Sequence, residues 1–169
     1  MANKLIYMDN NATTRPHPQV VETMHHYYKE EWGNPTSLHR FGAGVREEID
    51  QARTQVMKAL SAARPTEIVF TSGGTESNHL AIIGALSTLP EKNHCMTTMV
   101  EHSSVFKLFQ KLEHEGRKVD YLNVDVNGCL NLKELEEKIA EETAIVSIVW
   151  ANNETGILFP IPEIAKICR

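Results

Sequence analysis

The sequence predicts an α/β fold of three layers, with helices on both faces of a mostly parallel sheet. Two observations carry this. From Glu67 onward, apolar runs of β character alternate with helical periodicities at short, regular spacing. That is the pattern of parallel strands joined by right-handed crossovers. Loop motifs rich in Gly, Ser, Thr and Asn follow three of those strands, and in open α/β sheets ligands gather at the strand carboxyl ends.

Leu5–Met8 is a short apolar run, read as a strand or an extended arm. Asp9 to Pro18 is turn chemistry closed by prolines. Pro18 suits the first turn of a helix over Gln19–Glu30. Helical periodicity returns over Gly44–Leu60, with Val45, Ile49, Ala52, Val56 and Leu60 on one face. Then come strand Glu67–Thr71, helix Glu76–Leu86, strand Cys95–Val100 and helix Ser104–Glu115. They are followed by strand Val119–Val124, helix Leu132–Glu141, strand Ala144–Trp150 and a helix over Ile161–Cys168. Residues 1–60 lack the alternation and read as an N-terminal extension carrying helices and loops. Residues 61–169 read as the sheet domain.

At 169 residues the chain is long enough for a buried core. Lys plus Arg number 17 against 22 Asp plus Glu, a net charge of −5. With no basic stripe, a nucleic-acid partner is not expected. No apolar run reaches the roughly 18 residues of a membrane span. The N-terminus has neither the apolar stretch of a signal peptide nor the pattern of a transit peptide. Three scattered cysteines, Cys95, Cys129 and Cys168, form no CxxC pair. This reads as a reduced, cytoplasmic chain.

The chemistry lies in three loops. Thr71-Ser-Gly-Gly-Thr-Glu-Ser-Asn78 sits between a strand and a helix. Its glycines let backbone N–H groups converge on an anion such as phosphate, and Thr75 can add a hydroxyl. The same residues also suit a plain capped turn. It is neither a P-loop nor GxGxxG. His102 follows a strand and precedes Ser103 and Ser104, both good N-cap residues. Its imidazole can stack on a flat ring or move a proton, or simply be satisfied at a strand end. Asn153 follows the apolar Ile145–Trp150 run and can donate to a ligand oxygen, or form an Asx-turn. Asn152 ranks below it as a ligand contact. Together these groups suit a phosphorylated aromatic cofactor. No metal site is expected, because the adjacent His25 and His26 point in different directions on a helix.

At this point the residues resemble a family. Tyr7-Met-Asp-Asn-Asn-Ala-Thr-Thr14, Gly33-Asn-Pro-Thr-Ser-Leu-His39, Phe70 to Asn78, Glu101-His-Ser-Ser-Val105 and Asn152-Asn-Glu-Thr-Gly156 occur in order. The chain resembles the N-terminal part of a cysteine desulfurase of the NifS/IscS type, in the class V aminotransferase group of pyridoxal-phosphate enzymes. The resemblance implies a sheet of the pyridoxal-phosphate transferase type, incomplete at its C-terminal end. It implies pyridoxal 5'-phosphate as cofactor, with Gly74 and Thr75 on its phosphate, His102 stacked on its ring and Asn153 near the ring hydroxyl. Asn34 and His39 would shape the site or a dimer interface, and Asn11 would lie near the substrate.

The implied reaction converts L-cysteine to L-alanine and an enzyme-bound persulfide, which passes to a sulfur-acceptor or iron–sulfur scaffold protein. The complete form is expected to be a homodimer. The chemistry needs a Schiff-base lysine, an aspartate on the pyridine nitrogen and a nucleophilic cysteine. In the family all three fall beyond Arg169. Lys107, Lys111, Lys118, Lys133, Lys138 and Lys166 read as surface residues, and none of the three cysteines suits catalysis. The chain is therefore expected to be a fragment, a split-enzyme half or a truncated product, inactive alone. The alternatives are another class V enzyme, a transaminase or selenocysteine lyase, and a non-catalytic partner protein.

Overall fold

The computed structural model describes residues 6–169. The chain divides into two compact units, Met1–Phe70 and Thr71–Arg169.

The first unit is built on two helices, α1 (Pro18–Lys29) and α2 (Arg40–Ala59). Pro18 opens α1, as expected of a residue with no N–H to lose there. Both helices are capped by an imidazole: His17 Nδ1 accepts from Gln19 N, and His39 Nδ1 accepts from Gly42 N at 3.2 Å. The α2 helix starts before its predicted beginning because Gly42 allows close approach. A Cβ there would meet the Asn34 carbonyl oxygen and the Ser37 side chain. Tyr27 donates to Glu48 across the two helices at 3.1 Å. Past Leu60 the chain reverses through Ser61, whose φ is 54°. Ala62 N bonds Met57 O and Ser61 N bonds Lys58 O, the bonding of a Schellman turn.

The expected strand at Glu67–Thr71 does not form. Pro65–Glu67 is a 3-10 turn, and Ile68–Phe70 is unpaired. Its backbone is extended at Ile68, but among the described residues no strand lies beside it to complete a ladder. Arg53 instead ties this stretch to α2. It donates to the Ile68 carbonyl and lies 4.8 Å over the Phe70 ring. Of the Leu5–Met8 run, read as a strand or an extended arm, Ile6–Met8 forms no strand, while Leu5 lies outside the described residues.

The second unit holds a parallel sheet of order β2-β1-β3: β1 (His94–Thr98), β2 (Lys118–Leu122) and β3 (Thr143–Val146). Helices α3 (Gly74–Ser87) and α4 (Ser103–His114) pack on one face, and α5 (Leu132–Lys138) and α6 (Ile161–Ile167) on the other. Alternation along β1 divides the core. Cys95 joins Ile82, Leu86, Val105, Leu108, Phe109 and Leu112, while Met96 joins Leu122, Leu130, Leu135, Phe159 and Ile164. This is the three-layer α/β/α arrangement with a parallel sheet.

The β3 strand is shorter than Ala144–Trp150. One further bond, Ser147 N to Met96 O at 2.9 Å, extends it before the partner strand turns away. The α5 helix also stops short of Glu141, because Ile139 is extended and Thr143 takes the Ala140 N–H. At the N-terminal end of the sheet His94 is fully buried. Its Nδ1 lies 2.8 Å from the Thr143 hydroxyl and its Nε2 lies 3.0 Å from Asp120, whose other oxygen pairs with Lys138. Burial pushes the Asp120 carboxyl up, but the bonds from His94 and Lys138 outweigh it and hold it below the usual carboxylate range. Among the described residues no helix is long and apolar enough to cross a membrane.

Candidate functional site

The glycine loop leads directly into α3. No side chain caps this helix at Gly73, so the N–H groups of its first turn, Gly74 and Thr75 among them, are open to an outside acceptor. Space beside both glycines is open too: a Cβ on Gly73 or Gly74 meets no atom within 4 Å. The loop is braced from within. Thr71 and Ser77 hydroxyls lie 2.6 Å apart, and the Glu76 carboxylate takes both the N–H and the hydroxyl of Ser72 at 2.6 Å. Those Ser72 bonds hold the Glu76 carboxyl below its ordinary value, so it stays ionised.

His102 caps α4 itself, in place of the serines that follow it. Its Nδ1 accepts from Ser104 N at 3.1 Å and lies 2.8 Å from the Ser104 hydroxyl. With Nδ1 used as an acceptor, the proton of the neutral ring sits on Nε2, and the residue as a whole is exposed. Asn78 Nδ2 donates to the same Ser104 hydroxyl at 2.9 Å, and His79 Nε2 lies 3.1 Å from the Ser104 carbonyl. A chain of hydrogen bonds therefore links the start of α3, through Ser104, to the His102 ring.

The third loop joins through Asn152. This side chain is buried, donates to the Val100 carbonyl at 3.0 Å and accepts from Glu154 N, Thr155 N and the Thr155 hydroxyl. Asn152 thus has a structural role. Gly156, at φ 75°, closes the turn with a 2.8 Å bond from its N–H to the Asn152 carbonyl. Asn153, next along, is exposed and donates to Glu154 at 2.9 Å.

Glu101 makes a second link. Its Oε1 accepts from Val149 N at 2.7 Å and from the Thr98 hydroxyl at 3.1 Å. Burial raises its carboxyl above the ordinary value, and these two bonds oppose that rise.

Thus the loops bearing Gly74 and Thr75, His102, and Asn153 are hydrogen-bonded to one another at one end of the sheet. Three further predicted residues belong to the first unit. Asn34 accepts from Thr36 N at 2.9 Å and from the Thr36 hydroxyl at 2.8 Å, and His39 caps α2. Asn11 is exposed in a turn closed by Ala12 N bonding to the Asp9 carbonyl at 3.2 Å. The sequence reading gave no role to Asn78 or Glu101, and took Ser104 only for a helix cap, a place that His102 fills. A signal existed for Glu101, the one carboxylate between Thr97 and Phe106.

Of the lysines, Lys138 pairs with Asp120 and Glu134, and Lys111 with Glu115. Cys95 is buried, and burial pushes its thiol up, away from a reactive thiolate.

The family model described as aminotransferase class-V matches residues 6–169. Cysteine desulfurase 2 of Trichormus variabilis is 48% identical over 160 residues, covering 95% of this chain and 40% of the relative. A solved structure described as a NifS-like protein superposes with a TM-score of 0.91 at 39% identity, over 96% of this chain and 44% of that one. Another, described as SspA in complex with cysteine, gives 0.88 at 36% identity over 96% of this chain and 47% of that one. The chain thus spans less than half the length of these relatives.

Proposed function

The chain belongs to the class-V aminotransferase family and corresponds to the N-terminal part of cysteine desulfurases of the NifS/IscS type, and on that premise we propose that it is the segment of such an enzyme that holds pyridoxal 5'-phosphate. The observation that carries this is the hydrogen-bonded joining of three loops, through Asn78, Ser104 and Asn152, around donors that suit the cofactor. The uncapped first turn of α3, with Gly74, Thr75 and the Thr75 hydroxyl, suits a phosphate. An imidazole with its proton on Nε2 suits the face of a pyridine ring, and Asn153 suits the ring hydroxyl.

When bound, the cofactor serves as an electron sink for bond cleavage at an amino acid. In this reading the residues of the chain bind and orient it, and His102 Nε2 holds or moves a proton beside the ring. L-Cysteine is the substrate, in keeping with the cysteine named for the SspA complex. The products are L-alanine and a persulfide bound for a sulfur-acceptor or iron–sulfur scaffold protein, in the cytoplasm. The Schiff-base lysine and the nucleophilic cysteine come from sequence outside these 169 residues, and the assembled enzyme is a homodimer.

The test is equilibrium binding of pyridoxal 5'-phosphate to the 169-residue chain, followed by absorbance. Saturable binding that His102→Ala weakens about tenfold, the loss of one good contact, is the expected result. Absence of saturable binding, or binding indifferent to His102, would falsify the assignment. Alanine release from cysteine is then measured on the longest natural product carrying this sequence.

A further inference from the structure

Glu101 lies between the end of β1 and His102, and its carboxylate does the work of a missing backbone carbonyl. In the β1–β3 ladder Ser147 N bonds Met96 O at 2.9 Å. The next donor on that side is Val149 N, and the regular acceptor would be the Thr98 carbonyl. Instead Val149 N donates to Glu101 Oε1 at 2.7 Å, and the Thr98 hydroxyl donates to the same oxygen at 3.1 Å. One side-chain oxygen thus adds a rung to the sheet while the main chain turns away into α4. Three residues along, Asn152 Nδ2 fastens to Val100 O at 3.0 Å. The two loops are therefore joined by two rungs, Glu101–Val149 and Val100–Asn152. The next residues outward are His102 and Asn153, both exposed.

We propose that Glu101 is a positioning residue that fixes the separation of the His102 imidazole and the Asn153 carboxamide. Its action on a cofactor rests on the reading above, while its action on the two side chains does not. A carboxylate suits the task because one oxygen can accept two donors, with a charge strengthening both bonds. An aliphatic side chain of similar size fills the space but leaves the Val149 N–H without its acceptor. A glutamine keeps the oxygen and gives up only the charge.

The test compares Glu101→Gln and Glu101→Leu in the isotope-labelled 169-residue chain, by nuclear magnetic resonance. The expected result is that Glu101→Leu shifts the His102 ring and Asn153 side-chain signals along with the Val149 amide. Glu101→Gln is expected to restore all three toward wild type. If Val149 moves while His102 and Asn153 stay in place, the residue is merely structural and the proposal falls. Should Glu101→Leu fail to fold, hydrogen exchange on wild type decides: protection at Val149 matching that at Ser147 supports the rung, and loop-like exchange removes it. Pyridoxal 5'-phosphate affinity is measured in parallel, with about a tenfold loss expected in Glu101→Leu and near-full recovery in Glu101→Gln. If wild type itself binds no cofactor, the cofactor reading fails, and the resonance comparison still decides the role of Glu101.

Discussion

Asn78 donates to the Ser104 hydroxyl at 2.9 Å, and the start of α3 is thereby fastened to the start of α4. The same hydroxyl lies 2.8 Å from His102 Nδ1, so one small side chain sets both the loop geometry and the ring orientation. Replacing Ser104 by Ala leaves Asn78 Nδ2 without its acceptor. The expected loss is about 1–2 kcal/mol of stability, read from urea unfolding. The His102 ring signals should shift in the same variant. An unmoved ring would show that the hydroxyl does not orient it.

Ser61 and Gly116 do the same job at the ends of α2 and α4. At α4, Gly116 has φ 97°, with Arg117 N bonded to Leu112 O, the same turn that Ser61 makes with φ 54°. A Cβ is strained in the left-handed region and a glycine is not. Ser61→Gly is therefore expected to stabilise the chain by about 0.5–1 kcal/mol. A fall in the unfolding midpoint would contradict this.

Asp120 should leave its mark on the acid limb of stability. Its folded carboxyl lies below its ordinary value, since the His94 and Lys138 bonds outweigh the effect of burial. Its contribution is then complete above the unfolded value of about 4 and is lost as pH falls through the lower folded value. Asp120→Asn is expected to cost about 1–2 kcal/mol at neutral pH. The gap to wild type should close in acid, as chemical denaturation across pH would register. A gap that stays constant would show that the charge is not involved.

Phe109 is fully buried between α4 and the sheet. Phe109→Ala leaves a large void and should cost about 3–4 kcal/mol, measured by denaturant unfolding. A cost below about 1 kcal/mol would mean that the layer collapses to fill the space.

Periodicity located every helix described above to within a few residues, because apolar spacing reflects which face each helix buries. It missed the true starts of α2 and α4. Their caps are His39 and His102, whose ring nitrogens take a role expected of hydroxyls and carboxamides. The Ile68–Phe70 run has strand composition, yet a strand requires a neighbour, and composition does not reveal whether one is present. Val149 and Trp150 have strand character too, but the acceptor there is the Glu101 side chain, distant in sequence. Gly74, Thr75, His102 and Asn153 could be named from motifs. The residues that join their loops could not, because Asn78–Ser104 and Val100–Asn152 are tertiary contacts between segments of no fixed spacing.

Because β1 lies between its neighbours, with Cys95 facing one helical layer and Met96 the other, the second unit has two cores that share a strand backbone but no side chain. A void opened at Phe109 and one opened at Leu135 would have no common lining. Their energetic costs in a double variant should therefore sum to within about 0.5 kcal/mol. Sequence change in one layer can then proceed without compensating change in the other, so long as the strand between them keeps its register.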